Sequence, residues 1–97
     1  MTALGDAEVA AALRQVPGWE RADKAIARTY RFRDFREAMA FVNRIADIAE
    51  RLGHHPDVAI HYNVVTLSLW SHDAAGITPR DFALAATIDM GGLEGPD

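Results

Sequence analysis

The spacing of apolar residues changes sharply at Gly53-His54-His55-Pro56-Asp57, and no other feature constrains the fold as much. Before this string, Phe35, Ala38, Phe41, Val42, Ile45, Ile48, Ala49 and Leu52 recur every three or four positions and trace one helical stripe. After it, Val58, Ile60 and Tyr62 alternate with Ala59 and His61. Past a turn near Asn63, Val65, Leu67 and Leu69 alternate with Thr66, Ser68 and Trp70. A 3.6-residue stripe is buried as one face of a helix and a two-residue alternation as one face of a sheet, so the chain must lay a helix on a hairpin. Asp34 and Glu37 form a capping-box pattern at the start of the helix, and Gly53 is placed to end it.

The flanking segments extend the pattern. Asp6 to Val16 carries Val9, Ala12, Leu13 and Val16 at helical spacing, opens on the capping-type Asp6, and is stopped by Pro17-Gly18. Trp19 to Asp23 and Ala25 to Phe32 read as two strands around a turn at Asp23-Lys24. Thr78-Pro79-Arg80-Asp81 is a helix start leading into Phe82, Ala85, Ala86 and Ile88. The order α-β-β-α-β-β-α predicts a two-layer α+β fold, a four-stranded antiparallel sheet with helices on one face. At 97 residues the whole of 1–97 is expected to be a single domain, with GGLEGPD as a frayed tail. The second sheet face is left without cover, and a free edge strand with it, which points to self-association.

Composition narrows the function classes. A formal charge of −4 gives no attraction to nucleic acid or anionic lipid. The absence of cysteine removes disulfides and thiolate metal sites. Acidic residues stand where a signal peptide would be basic, and no apolar run reaches membrane-spanning length, so the cytoplasm is the expected location.

The chemistry is concentrated in four histidines. His54, His55, His61 and His72 all fall within nineteen residues, and imidazole is the side chain best suited to moving protons near neutral pH. His54 and His55 lie in the connection after the long helix, with Pro56 restricting His55 to extended backbone. His72 is read as ending the fourth strand. A hairpin then brings its end of the sheet to the start of the third strand, so His54 or His55 faces His72. His61 is read as a surface group. Adjacent histidines are poor chelators and no HExxH is present, so metal binding is disfavoured. Arg28, Arg31, Arg33 and Arg36 read as a solvated face or a grip for an anionic ligand. Trp19 reads as core or interface. Trp70, on the polar side of its strand, could flank a planar ligand. Asp57, Asp73 and Asp81 are placed to orient an imidazole through its second nitrogen.

The string GHHPD, then Tyr62-Asn63, SLWSHDAAGIT and Asp81, resembles the pterin-4a-carbinolamine dehydratase family, also known as the dimerisation cofactor of a homeodomain transcription factor. The resemblance spans nearly the whole chain. It includes Pro17-Gly18-Trp19, Arg31-Phe32-Arg33-Asp34-Phe35, Glu50 and Pro79-Arg80-Asp81. Gly53 stands where the family usually has Asn or Asp, and Trp70-Ser71 where small hydroxyl residues are common. The resemblance implies dehydration of a 4a-hydroxytetrahydropterin to the quinonoid dihydropterin, in a homodimer or homotetramer, without metal or bound cofactor. It carries the catalytic roles onto His54, His55 and His72. The pterin would be held by Gly53, His54, His55, Trp70, Ser71, His72 and Asp73, with Glu50, Pro56 and Asp81 supporting. His54 and His72 take the acid and base work in undecided order, and His55 takes binding or support. The competing class is a protein-binding module using the open sheet face or the first helix.

Overall fold

The computed structural model describes residues 2–91. Three helices and four strands follow in the expected order: α1 (Asp6–Leu13), β1 (Glu20–Ala22), β2 (Ala25–Arg31), α2 (Phe35–Leu52), β3 (Asp57–His61), β4 (Val64–Leu69) and α3 (Pro79–Asp89). The strands form one antiparallel sheet in the order β1-β2-β4-β3, with the helices packed on one of its faces as a two-layer α+β fold.

The long helix forms where its caps and stripe predict. The Asp34 carboxylate accepts the Glu37 N–H at 2.9 Å, and the Glu37 carboxylate reaches back to the N–H of Arg33 at 2.9 Å. Ala38, Phe41, Ile45, Ile48 and Ala49 are buried. The stripe is exposed at both ends, where Phe35 (49 %) and Leu52 (43 %) are the first and last residues of the helix. Gly53 closes the helix in the left-handed region at φ 68°, which an L side chain adopts only at a cost.

The sheet is built around β4, whose Val65, Leu67 and Leu69 are fully buried against the helices. Register sets the two faces, since directly opposed residues share one. Ile26 pairs with Leu69 and Tyr30 with Val65 on the helix side, whereas Ala27 pairs with Ser68 and Thr29 with Thr66 on the open side. The open face thus carries small residues at its centre and Arg31, Asp57 and His61 around them, with the Thr29 and Thr66 hydroxyls bonded to each other at 3.0 Å. At the edge, β3 buries little, and Val58, expected in the core, is 40 % exposed. An outer strand has a neighbour on one side only.

Four local expectations are corrected. Gly5, not Asp6, caps α1, and its N–H is held by the Glu8 carboxylate at 2.8 Å. That helix stops at Leu13, with Val16 carried into the core by the following turns. The first strand is only Glu20–Ala22, because Trp19 leaves the sheet to bury its ring while its indole N–H donates to Asp89. Strand β4 ends at Leu69, so His72 does not end it. A Ser71–Gly76 bridge follows, and His72 opens a 3-10 turn over His72–Ala74. Of GGLEGPD, expected as a frayed tail, only Gly91 is described; positions 92–97 lie outside the described residues.

Tyr30 packs against Phe32 and Phe41 with its hydroxyl buried and unpaired. Burial pushes its pKa up to about 12; the Arg28 guanidinium over the ring opposes this and Asp89 adds to it. An unfolded tyrosine ionises near 10, so this contribution to stability is complete below about pH 10 and is lost as pH rises toward 12. Tyr30→Phe should therefore flatten the loss of stability over that window in urea titrations and be close to neutral at pH 7, since no hydrogen bond is removed. Gly53→Ala should cost about 1 kcal/mol in the same measurement, from the left-handed backbone.

Candidate active site

The connection after Gly53 and the chain beyond Leu69 reach the same end of the sheet because β3 and β4 are antiparallel neighbours, with Asp57 opposite Ser68. There they enclose a cavity of about 380 Å³ lined by Gly53, His54, His55, Pro56, Asp57, Trp70, His72, Asp73 and Arg80. The histidines at 54, 55 and 72 are brought together. His61 is not; it sits exposed at the far end of β3.

Each of the three imidazoles is held differently. His54 is nearly buried, and its Nε2 lies 2.6 Å from Asp81 Oδ1. Asp81 is itself fully buried at the start of α3, where its other oxygen accepts the Thr78 N–H at 2.9 Å and the Ser71 hydroxyl at 3.0 Å. A carboxylate only accepts, so the shared proton belongs on Nε2 of His54 and leaves Nδ1 as the nitrogen without a hydrogen bond among the described residues. His55 Nε2 lies 2.6 Å from Glu50 Oε2, but both side chains are largely exposed. His72 stacks on the Trp70 indole with ring centroids 3.9 Å apart and planes inclined by 26°. The Trp70 N–H in turn donates to Asp57 at 2.9 Å.

Of the residues read from sequence as substrate-binding, Ser71 does not line the cavity. It is fully buried beneath it, bonded to Thr78 and Asp81. Glu50, expected to support the site and not to bind the pterin, stands outside the lining and bonds His55. Of the three acids placed to orient an imidazole, only Asp81 bonds one; Asp57 holds Trp70, and Asp73 is paired with Arg80 at 2.7 Å. Arg80, by its sequence only part of a helix start, forms one cavity wall, with its Nε buried and unpaired among the described residues. The signal available was its place beside Asp81, one helical residue from the carboxylate that bonds His54. Among the described residues, no three His, Cys, Asp or Glu side chains are grouped so as to hold a metal ion.

The chain is thus a small two-layer α+β domain, a helix-backed antiparallel sheet with three imidazoles at one mouth. A profile of the family described as pterin 4 alpha carbinolamine dehydratase matches residues 2–90, and the chain belongs to that family. It is 58% identical over 88 residues to a protein of Thermomicrobium roseum provisionally named pterin-4-alpha-carbinolamine dehydratase, covering 91% of this chain and 95% of that one. A provisionally named relative from Chloroflexus aurantiacus is 51% identical over 89 residues, covering 92% and 96%. Among solved structures, a transcriptional coactivator/pterin dehydratase from Brucella melitensis superposes with a TM-score of 0.84 at 35% identity, covering 92% of this chain and 97% of that one. A pterin dehydratase-like protein described as a RuBisCO assembly factor in the alpha-carboxysome superposes at 0.62 with 20% identity, over 75% of this chain and 87% of that one, a likeness of fold alone.

The two carboxylate–imidazole pairs have equal lengths and opposite surroundings. Asp81→Ala should cost about 3 kcal/mol in chemical denaturation, because it strands a buried imidazole and a backbone N–H at once. Glu50→Ala should leave the midpoint where ordinary surface substitutions leave it.

Proposed function

We propose that this protein is a 4a-hydroxytetrahydropterin dehydratase, which eliminates water from a pterin 4a-carbinolamine by histidine acid/base catalysis and so serves tetrahydropterin recycling. The observation that carries this is the shared cavity: His54, His55 and His72, from two segments joined by a strand reversal, line one opening beside an indole. Family membership and the names of the relatives support the same substrate class.

The reaction asks little of the protein beyond proton placement. The carbon–oxygen bond at the carbinolamine breaks with its electron pair going to oxygen, and an acid must protonate that oxygen so that it leaves as water. A base takes the proton from a ring nitrogen, and the N–H electron pair becomes the new carbon–nitrogen double bond. No oxidation occurs and no cofactor is consumed. His54 suits the base: Asp81 holds the proton on Nε2, leaves Nδ1 as acceptor, and compensates the imidazolium that forms, as a carboxylate does behind other catalytic histidines. His72, with no hydrogen bond to its ring among the described residues, is left to serve as the acid. His55, tied to Glu50, is the binding or supporting member, and Gly53, Pro56 and Asp73 complete the wall around the ring.

The working unit in this proposal is a cytoplasmic homodimer or homotetramer of one-domain chains. The exposed edge of β3 with Val58, and Leu52 nearby in sequence, supports self-association, and no helix among the described residues is long and apolar enough to cross a membrane. A second reading, a protein-binding module, is favoured by one observation: the open sheet face, small residues bordered by Arg31, Asp57 and His61, is uncovered in the single chain.

An ultraviolet assay of carbinolamine decay tests the proposal. Wild-type protein should accelerate decay, and His54→Gln and His72→Ala should each lower turnover at least about tenfold. Unchanged turnover in both variants refutes the roles. A binding module would instead keep its partner affinity in both.

A further inference from the structure

We infer that Trp70 and Asp57 form a strap that positions the His72 imidazole, rather than a surface on which the substrate stacks. His54 and His55 are each held by a carboxylate through Nε2, which commits one ring nitrogen in each. His72 is held through its ring face instead, at 3.9 Å from the indole, so both of its nitrogens stay available. It needs such a holder, because it projects exposed from a three-residue 3-10 turn with no hydrogen bond to its ring among the described residues.

The indole is itself tied across the hairpin. Its N–H donates to Asp57 at 2.9 Å, and Asp57 opens the strand that follows His54, His55 and Pro56. One hydrogen bond and one stack therefore join the two sides of the cavity, setting the gap between His72 and the other imidazoles. A slack gap penalises a reaction in which two groups must meet one ring at once. With one indole face against His72, the residue is already engaged before any pterin enters.

Resting on the dehydratase reading, Trp70 is thus a positioning residue whose loss lowers kcat rather than raising KM. Two measurements test this. In the unliganded protein, the carbon-bound ring protons of His72 should resonate upfield of those of exposed His55 and His61 by NMR. They should keep that position in Trp70→Phe and lose it in Trp70→Leu. In turnover, Trp70→Leu should lower kcat about fivefold, the worth of one aromatic pair, with KM changed by less than about twofold, while Trp70→Phe recovers most of the loss. Asp57→Ala, a surface change that spares folding, should reproduce part of the defect, and Asp57→Asn, which keeps an acceptor for the indole, should not. A wild-type His72 resonating with the exposed histidines overturns the strap. So does Trp70→Leu with raised KM and intact kcat, which would make the indole a substrate platform. If wild-type protein leaves every carbinolamine untouched, the dehydratase reading fails and the NMR arm still decides the strap.

Discussion

The Asp81 carboxylate is the point on which the rest of the structure depends. One oxygen caps α3 through the Thr78 N–H and accepts the Ser71 hydroxyl; the other bonds His54. A fully buried anion is tolerated only when donors surround it, and here the donors come from three separate segments. The last helix, the exit from β4 and the histidine loop are thereby fixed to one another. The same contact that allows the carboxylate to be buried also orients an imidazole, so stability and site geometry are joined in one residue.

Around that anchor the cavity runs from rigid to open. His54 is almost enclosed, His72 is held by a stack alone, and His55 faces solvent with Glu50. Three residues of the same type thus sit in three different surroundings. The difference arises from packing, not from the imidazole. Buried hydrogen bonds hold their geometry, whereas an exposed pair such as His55 and Glu50 competes with water and contributes little.

Much of the fold was legible because its signals are local. The stripe from Ala38 to Ala49, the alternation of Val65, Leu67 and Leu69, and the caps at Asp34, Gly53 and Thr78 all follow from spacing and side-chain chemistry within a few residues. The misreadings fall at the ends and edges of elements. Val58, Phe35 and Leu52 have the right period, but Val58 lies on the edge strand β3, and Phe35 and Leu52 are the first and last residues of α2. Trp19 was withdrawn from its strand by a carboxylate seventy residues away.

By itself the sequence determined the layer architecture, the strand reversal, and the convergence of residues 54, 55 and 72 at one end of the sheet. Those follow from periodicity and from the short turn that forces antiparallel pairing. Only the tertiary structure decided which acid serves which ring: Asp81 rather than Asp57 or Asp73 for His54, with Asp57 turned to the Trp70 indole and Asp73 to Arg80. It also moved Ser71 beneath the cavity and Arg80 onto its wall. Hydrogen-bond partners between distant segments depend on distances of a few tenths of an ångström, and those distances are set only once the helices have packed on the sheet.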